Sequence, residues 1–233
     1  MAKKLTKKRK AVEGKVDPDK LYALSEAMVL VKEVNTTKFN ASVDVHVRLG
    51  VDPRKADQAL RGTVSLPHGT GKTKRVLVFC TPEKADEAKA AGADFVGAED
   101  LVEKIKGGWL DFDALVSTPD LMAQVGKVGK QLGPRGLMPS PKVGTVTFDV
   151  GATVKSIKAG RAEFRVDKAG ILHVPVGKAS FGPQKVKENI LALMAVVNKS
   201  KPSTSKGVFL RSASMSLTMG PGVKFDLAQF RAV

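Results

Sequence analysis

Between Lys74 and Leu132 the chain repeats one rhythm three times, and this repetition constrains the fold more than any other feature. "KRVLVFC" is a short apolar strand, and "TPEKADEAKAAG" after it reads as a helix. Thr81 is placed to cap that helix, Pro82 to open it and Gly92 to stop it. "ADFVG" and "AEDLVEKIKGG" repeat the pair, with Gly107 as the stop. "FDALVS" and "TPDLMAQVGKVGKQL" give a third strand and the start of a third helix. Strand alternating with helix implies α/β architecture and a mostly parallel sheet.

The flanking sequence has a different grammar. "FNASVDVHVRLG" sets Val43, Val45, Val47 and Leu49 against Asp44, His46 and Arg48. That period of two predicts a half-buried strand. "AEFRVDKAGILHVPVG" predicts two strands around a "DKAG" turn, Asp167–Gly170. "GPQKVKENILALMAVVNKSKP" predicts an amphipathic helix from about Pro183 to before Pro202, and "PDKLYALSEAMVLVKEV" predicts another. "GVFLRSASMSLTMG" predicts a long strand, followed by a Gly-Pro-Gly turn. This is an α+β pattern contributed by both ends of the chain. The economical architecture is a discontinuous domain, 1–68 with 160–233, carrying an inserted α/β domain, 69–159. "LPHGTG" and "VKSIKAGRA" would be its two crossings and would act as a double hinge. Two or three sequential domains fit the same pattern.

Charge separates the same pieces. The net charge is +16, yet residues 69–159 hold 13 basic against 11 acidic residues, leaving +14 on the flanks. Such an excess points to a polyanionic partner, nucleic acid first and a membrane surface second, to be sought on the flanks. No stretch approaches the roughly 20 apolar residues of a membrane span, and no helix concentrates Lys and Arg on one face. The basic start "MAKKLTKKRKA" runs into "VEGKVDPDK" and not into the apolar segment of a secretory signal. The single Cys80, inside "RVLVFC", reads as a buried thiol. Together these lead us to expect a cytoplasmic chain without a membrane partner.

Catalytic and cofactor motifs fail on inspection. "GTGKT" resembles the end of a P-loop, but Leu66 stands where the motif needs its first glycine, and a strand follows instead of a helix. The turn after Cys80 has no glycine to admit a pyrophosphate. His46, His68 and His173 are scattered, so no zinc spacing exists, and no serine sits in a nucleophile elbow. The expectation is a chain that is not an enzyme and has no cofactor. "GKQLGPRGLMPSPKVGTVTFD" is a rigid Gly/Pro loop. Its Lys130, Arg135 and Lys142 could touch a phosphate backbone, or the loop could pack across the end of the sheet.

Two segments suit close approach to RNA. "NTTKFNAS" offers Thr36, Thr37, Asn40 and Ser42 as hydrogen-bonding groups, Lys38 as a charge and Phe39 as an aromatic. Phe39 could pack on a sugar or base, or could simply cap the core. In "TMGPGV", Thr218 adds a hydroxyl, Met219 a soft apolar contact, and Gly220 and Gly222 clear the backbone.

"TTKFNASVDVHVRLGVDPRKADQALRGTVSLPHGTGK", "QLGPRGLMPSPKVGTVT", "KAGRAEFRVDKAGILHVPVGKASF" and "TMGPGV" occur in that order over essentially the whole chain. They closely resemble the bacterial form of the large-subunit ribosomal protein L-one family, found in the mobile stalk beside the tRNA exit site. The resemblance implies a discontinuous α+β RNA-binding domain with an inserted Rossmann-like α/β domain. It implies a monomer within the large ribosomal subunit. Its partners would be stalk helices of 23S ribosomal RNA, exit-site tRNA, whose deacylated form it helps to leave, and the mRNA of its own operon, whose translation it represses. It also implies RNA contacts from Thr37, Lys38, Phe39 and Ser42, from Arg165, Lys168 and His173, and from Thr218, Met219 and Gly220. Gly222 carries less weight, because some relatives have another small residue there.

Overall fold

The computed structural model describes residues 6–12 and 14–231, so the lysines within the first five residues lie outside it. Among the described residues nine strands run in chain order: β1 (Ser42–Leu49), β2 (Arg61–Ser65), β3 (Val76–Phe79), β4 (Phe95–Gly97), β5 (Ala114–Ser117), β6 (Arg161–Arg165), β7 (Ile171–Lys178), β8 (Leu210–Leu217) and β9 (Val223–Phe225). The fold is mixed α/β. The chain divides into two compact units, residues 1–71 with 162–233, and residues 72–161.

The unit formed by residues 72–161 is built on a parallel sheet of order β4-β3-β5. All four residues of β3 are buried, as a strand covered on both faces requires. Val76 and Val78 pack with Ala88 of helix Pro82–Ala90 and with Val150 and Val154 of helix Val150–Lys158. Leu77 and Phe79 face the other way, toward Leu101 and Ile105 of helix Glu99–Lys106 and toward Val125 and Leu132.

One local expectation fails here, that of a continuous third helix, and three others are met in whole or in part. Thr81 occupies the N-cap position but makes no side-chain capping bond. Helix Glu99–Lys106 ends at Gly107, as expected, and the left-handed residue follows at Gly108, φ 93°. The third helix is broken into a 3-10 turn at Pro119–Leu121 and helices Met122–Lys127 and Gly129–Leu132. Gly126 and Gly129 weaken a continuous helix there. Finally, the Gly/Pro loop packs on the sheet: the Ser117 N–H donates to Thr145 O at 2.9 Å and the Thr147 N–H to Ser117 O at 3.1 Å. Cys80 is buried, and that burial pushes its thiol pKa up.

The other unit carries a four-stranded antiparallel sheet of order β7-β1-β8-β9. Val43, Val45, Val47 and Leu49 are buried, as the alternation of β1 predicts, and join one core with helices Leu24–Glu33 and Pro183–Lys199. Two bulges interrupt the ladders. Val43 faces Gly177 and Asp44 faces Pro175, so Val176 is the extra residue on β7. Arg48 faces Ser212 and Leu49 faces Leu210, so Arg211 is the extra residue on β8.

The hairpin expected around Asp167–Gly170 is only partly formed. The turn exists: the Asp167 Oδ1 accepts from the Ala169 and Ile171 N–H groups, both at 2.8 Å, and Gly170 has φ 77°. One bridge, Val166 to Leu172, joins its arms. Beyond it the strands part, β6 pairing with β2 and β7 with β1.

Asn189 ties this unit together from inside. It is 0% exposed. Its Oδ1 accepts from the His68 N–H at 3.1 Å, and its Nδ2 donates to Gly69 O at 3.0 Å and Val176 O at 2.8 Å. One side chain on helix Pro183–Lys199 thus fixes both the "LPHG" segment and the β7 bulge.

Candidate nucleic-acid interface

Helices cover one face of the antiparallel sheet; the alternation leaves the other face polar. In ladder register, Asp44, His46 and Arg48 of β1 stand beside Pro175, His173 and Ile171 of β7 and beside Ser216, Ser214 and Ser212 of β8. Lys224 of β9 pairs with Ser214 and is exposed. A face of hydroxyls, imidazoles and cations suits a phosphate backbone and the 2′-hydroxyls of RNA.

Two loops far apart in sequence meet at one end of this face. The Thr218 N–H donates to Ser42 O at 3.1 Å, and the Ser42 N–H donates to Thr218 Oγ1 at 3.1 Å. Lys178 Nζ donates to Ser42 Oγ at 3.2 Å, placing a cation beside the pair. Upstream, Thr37 is held by its own neighbour: its N–H and Oγ1 both donate to Asn35 Oδ1, at 2.9 and 2.8 Å. Asn40 and Ser180 exchange two further hydrogen bonds. This clamped stretch presents Lys38 and Phe39 outward. Phe39 is 56% exposed, so it does not cap the core.

The other loop is strained. The Gly220 N–H donates to Leu217 O at 2.8 Å, closing a four-residue turn whose third residue is Met219. Met219 has φ 68°, the only positive φ outside glycine among the described residues. Such turns normally place Gly or Asn there, and a side chain costs about 1–3 kcal/mol. Met219 is nevertheless 80% exposed. Met219 is thus an apolar side chain held in a costly backbone conformation and offered to solvent. Gly222 has no atom within 4 Å of a built Cβ, so packing does not demand glycine there.

Of the remaining predicted residues only His173 lies on the four-stranded sheet. His173 sits mid-face, its Nδ1 2.7 Å from His46 Nδ1, and the His46 Nε2 lies 3.0 Å from Ser216 Oγ. One imidazole N–H donates to the other ring. Burial, then the neighbouring His173, push the His46 pKa below its ordinary value, with Asp44 opposing. His173 Nε2 also lies 3.4 Å from Asp167 Oδ2. The Asp167 pKa is held low, first by the Ile171 N–H. Lys168, exposed on this turn, is at the far end of β1, because the Leu49 N–H donates to Gly170 O at 2.9 Å. Arg165 is exposed on β6, outside the four-stranded sheet. The structure therefore brings Ser42 and Thr218 together with Lys178, and does not bring Arg165 to them.

His46, Ser216 and Lys178 were not singled out from the sequence. The signal was present in "RSASMSL", where Ser212, Ser214 and Ser216 recur with period two opposite the outward residues of β1. No cluster of His, Cys, Asp or Glu among the described residues could hold a metal ion, and no helix among them is long and apolar enough to cross a membrane.

Comparison with known proteins agrees with the motif resemblance. A family model described as the ribosomal protein L1p/L10e family matches residues 31–221. The large ribosomal subunit protein uL1 of Methylibium petroleiphilum is 57% identical over 229 residues, 98% of this chain and 97% of that protein. With this coverage at both levels, the chain belongs to the ribosomal protein L1p/L10e family and is a structural protein of the ribosome, not an enzyme.

Proposed function

We propose that the open face of the antiparallel sheet, with its Phe39 and Met219 end, binds stalk helices of 23S ribosomal RNA and so anchors the chain, as a monomer, in the large subunit of a bacterial ribosome in the cytoplasm. In this reading the discontinuous unit is the RNA-binding domain, and the inserted unit is Rossmann-like in layout but binds no dinucleotide. The carrying observation is the strained, exposed Met219 on a turn hydrogen-bonded to Ser42. Lys38, Lys168, Arg165 and Lys178 supply phosphate contacts, which provide most of the affinity. Thr37, Ser42, His173 and Thr218 offer hydrogen bonds to ribose and base edges, and Gly220 lets the backbone come close. The same face takes a similar structure in the mRNA of the chain's own operon, repressing its translation. Through stalk movement the anchored protein takes part in release of deacylated tRNA from the exit site. These last two roles rest on the resemblance of the motifs.

Equilibrium binding to a stalk-helix RNA fragment tests the site. Phe39→Ala and Met219→Ala should each weaken binding about 5- to 100-fold, the range for losing one stacking or packing contact. A Lys130→Gln, Arg135→Gln double variant on the other unit should bind like wild type. Equal losses from all three would overturn the assignment. Translation of a reporter behind the operon leader, with and without added protein, tests repression; no repression by wild type would refute that role.

A further inference from the structure

The end of the sheet opposite Met219 carries a feature that the interface just described does not use. A cleft of about 370 Å³ opens between the loop after β1 and the start of β8, lined among others by Gly50, Asp52, Lys55, Lys206 and Arg211. Arg211 is the bulged residue of β8, left out of the ladder with β1. A bulge re-aims its side chain. Here the guanidinium lies over Gly50: a Cβ built on that glycine would sit 3.4 Å from Arg211 Nε and 2.2 Å from Val208 O. Only glycine fits there, and it keeps the floor of the cleft clear beneath the guanidinium. Lys55, Lys206 and Arg211 form no ion pair among the described residues. The one acid in the lining, Asp52, accepts from the Arg54 N–H at 3.1 Å. Three cations converging against one acid repel one another unless an anion joins them. The Lys168 turn flanks the same end of β1 on the other side.

We propose that this cleft seats a phosphate of the RNA backbone, held by Arg211 with Lys206 and Lys55. It would be a second anchor about 24 Å along β1 from the Ser42–Thr218 end, at about 3.4 Å per residue. The proposal rests on the reading that this sheet binds RNA. It makes the grip two-ended: apolar and neutral at Met219, electrostatic at Arg211. A guanidinium suits the second role because its fork can give two hydrogen bonds to one phosphate.

The test is the salt dependence of binding to the stalk-helix fragment. Arg211→Gln and Lys206→Gln should each lower affinity about 5- to 10-fold at low salt and reduce the slope of log K against log salt by about one. Arg211→Lys should restore the slope. Phe39→Ala should lower affinity at an unchanged slope. Lys206 is exposed in a loop, so its variant reports even if the bulge position tolerates no change. Wild-type affinity and slope in both cleft variants, with Phe39→Ala and Met219→Ala still weakened, would refute the cleft and leave the face standing. No weakening in any of the four would overturn the RNA-binding reading itself.

Discussion

Replacing Asn189 by leucine separates hydrogen bonding from packing. The two side chains are similar in size, and the site is fully buried. Leucine would leave Gly69 O and Val176 O, both on buried residues, without their donor, and free the His68 N–H. An unsatisfied buried carbonyl costs about 1–3 kcal/mol; His68 is half-buried, so its amide rehydrates at less cost. Two carbonyls thus lose about 4 kcal/mol and the amide about 0.5–1. The extra apolar burial of leucine returns about 1.5–3 kcal/mol. The net loss is about 2–3 kcal/mol, or about 5–10 °C in the Tm of the unit at about 3 °C per kcal/mol. Asn189→Asp should be worse at neutral pH, since it keeps the acceptor for His68 but turns an oxygen on two carbonyls. Thermal unfolding gives the order wild type, Leu, Asp, and hydrogen exchange at the His68 amide gives the local effect. A leucine variant within 2 °C of wild type, with the His68 amide still protected, would refute the latch.

Three further outcomes follow from the same geometry. Met219→Gly should leave stability unchanged or raise it by up to about 1 kcal/mol, since relief of the left-handed backbone outweighs glycine's unfolded-state entropy; denaturant titration showing a loss above that size would contradict the strain. Phe39→Ala should change stability by less than about 1 kcal/mol, because the ring is mostly in solvent. The folded His46 pKa is depressed, so its contribution is present above the unfolded value near 6.5 and is lost as pH falls through the folded value. His46→Gln should therefore flatten the decline in stability of wild type below about pH 6.5, and equal declines in both proteins would refute the assignment.

The sequence exposed what depends on near neighbours. The valines of β1, the strand–helix repeats of residues 72–161 and the helix Pro183–Lys199 all follow from periodicity within one segment. It misled where the partner is remote. Asp167 and Gly170 announce a turn, and a turn forms, but whether β6 then pairs with β7 depends on burying Ala162 and Phe164 against the core. Nothing in "DKAG" states that. The site followed the same rule. Phe39 and Met219 stood out as apolar residues in polar or glycine-rich settings. Their assembly depends on the Ser42–Thr218 pair, 176 residues apart, and the re-aimed Arg211 on a bulge visible only in the ladder.

The pairing of β1 with both β7 and β8 also has a consequence for synthesis. β1 is the central partner, yet its neighbours end at Lys178 and Leu217. At about 5–20 residues per second, roughly 10–30 s separate completion of β1 from arrival of β8. Until β7 is complete at Lys178, Val43, Val45 and Val47 have no strand to pair with, while residues 72–161 already contain every strand of their own. The inserted unit can fold first on the nascent chain, and the sheet that carries the proposed RNA face is completed last, with a waiting apolar strand that chaperones are placed to shield.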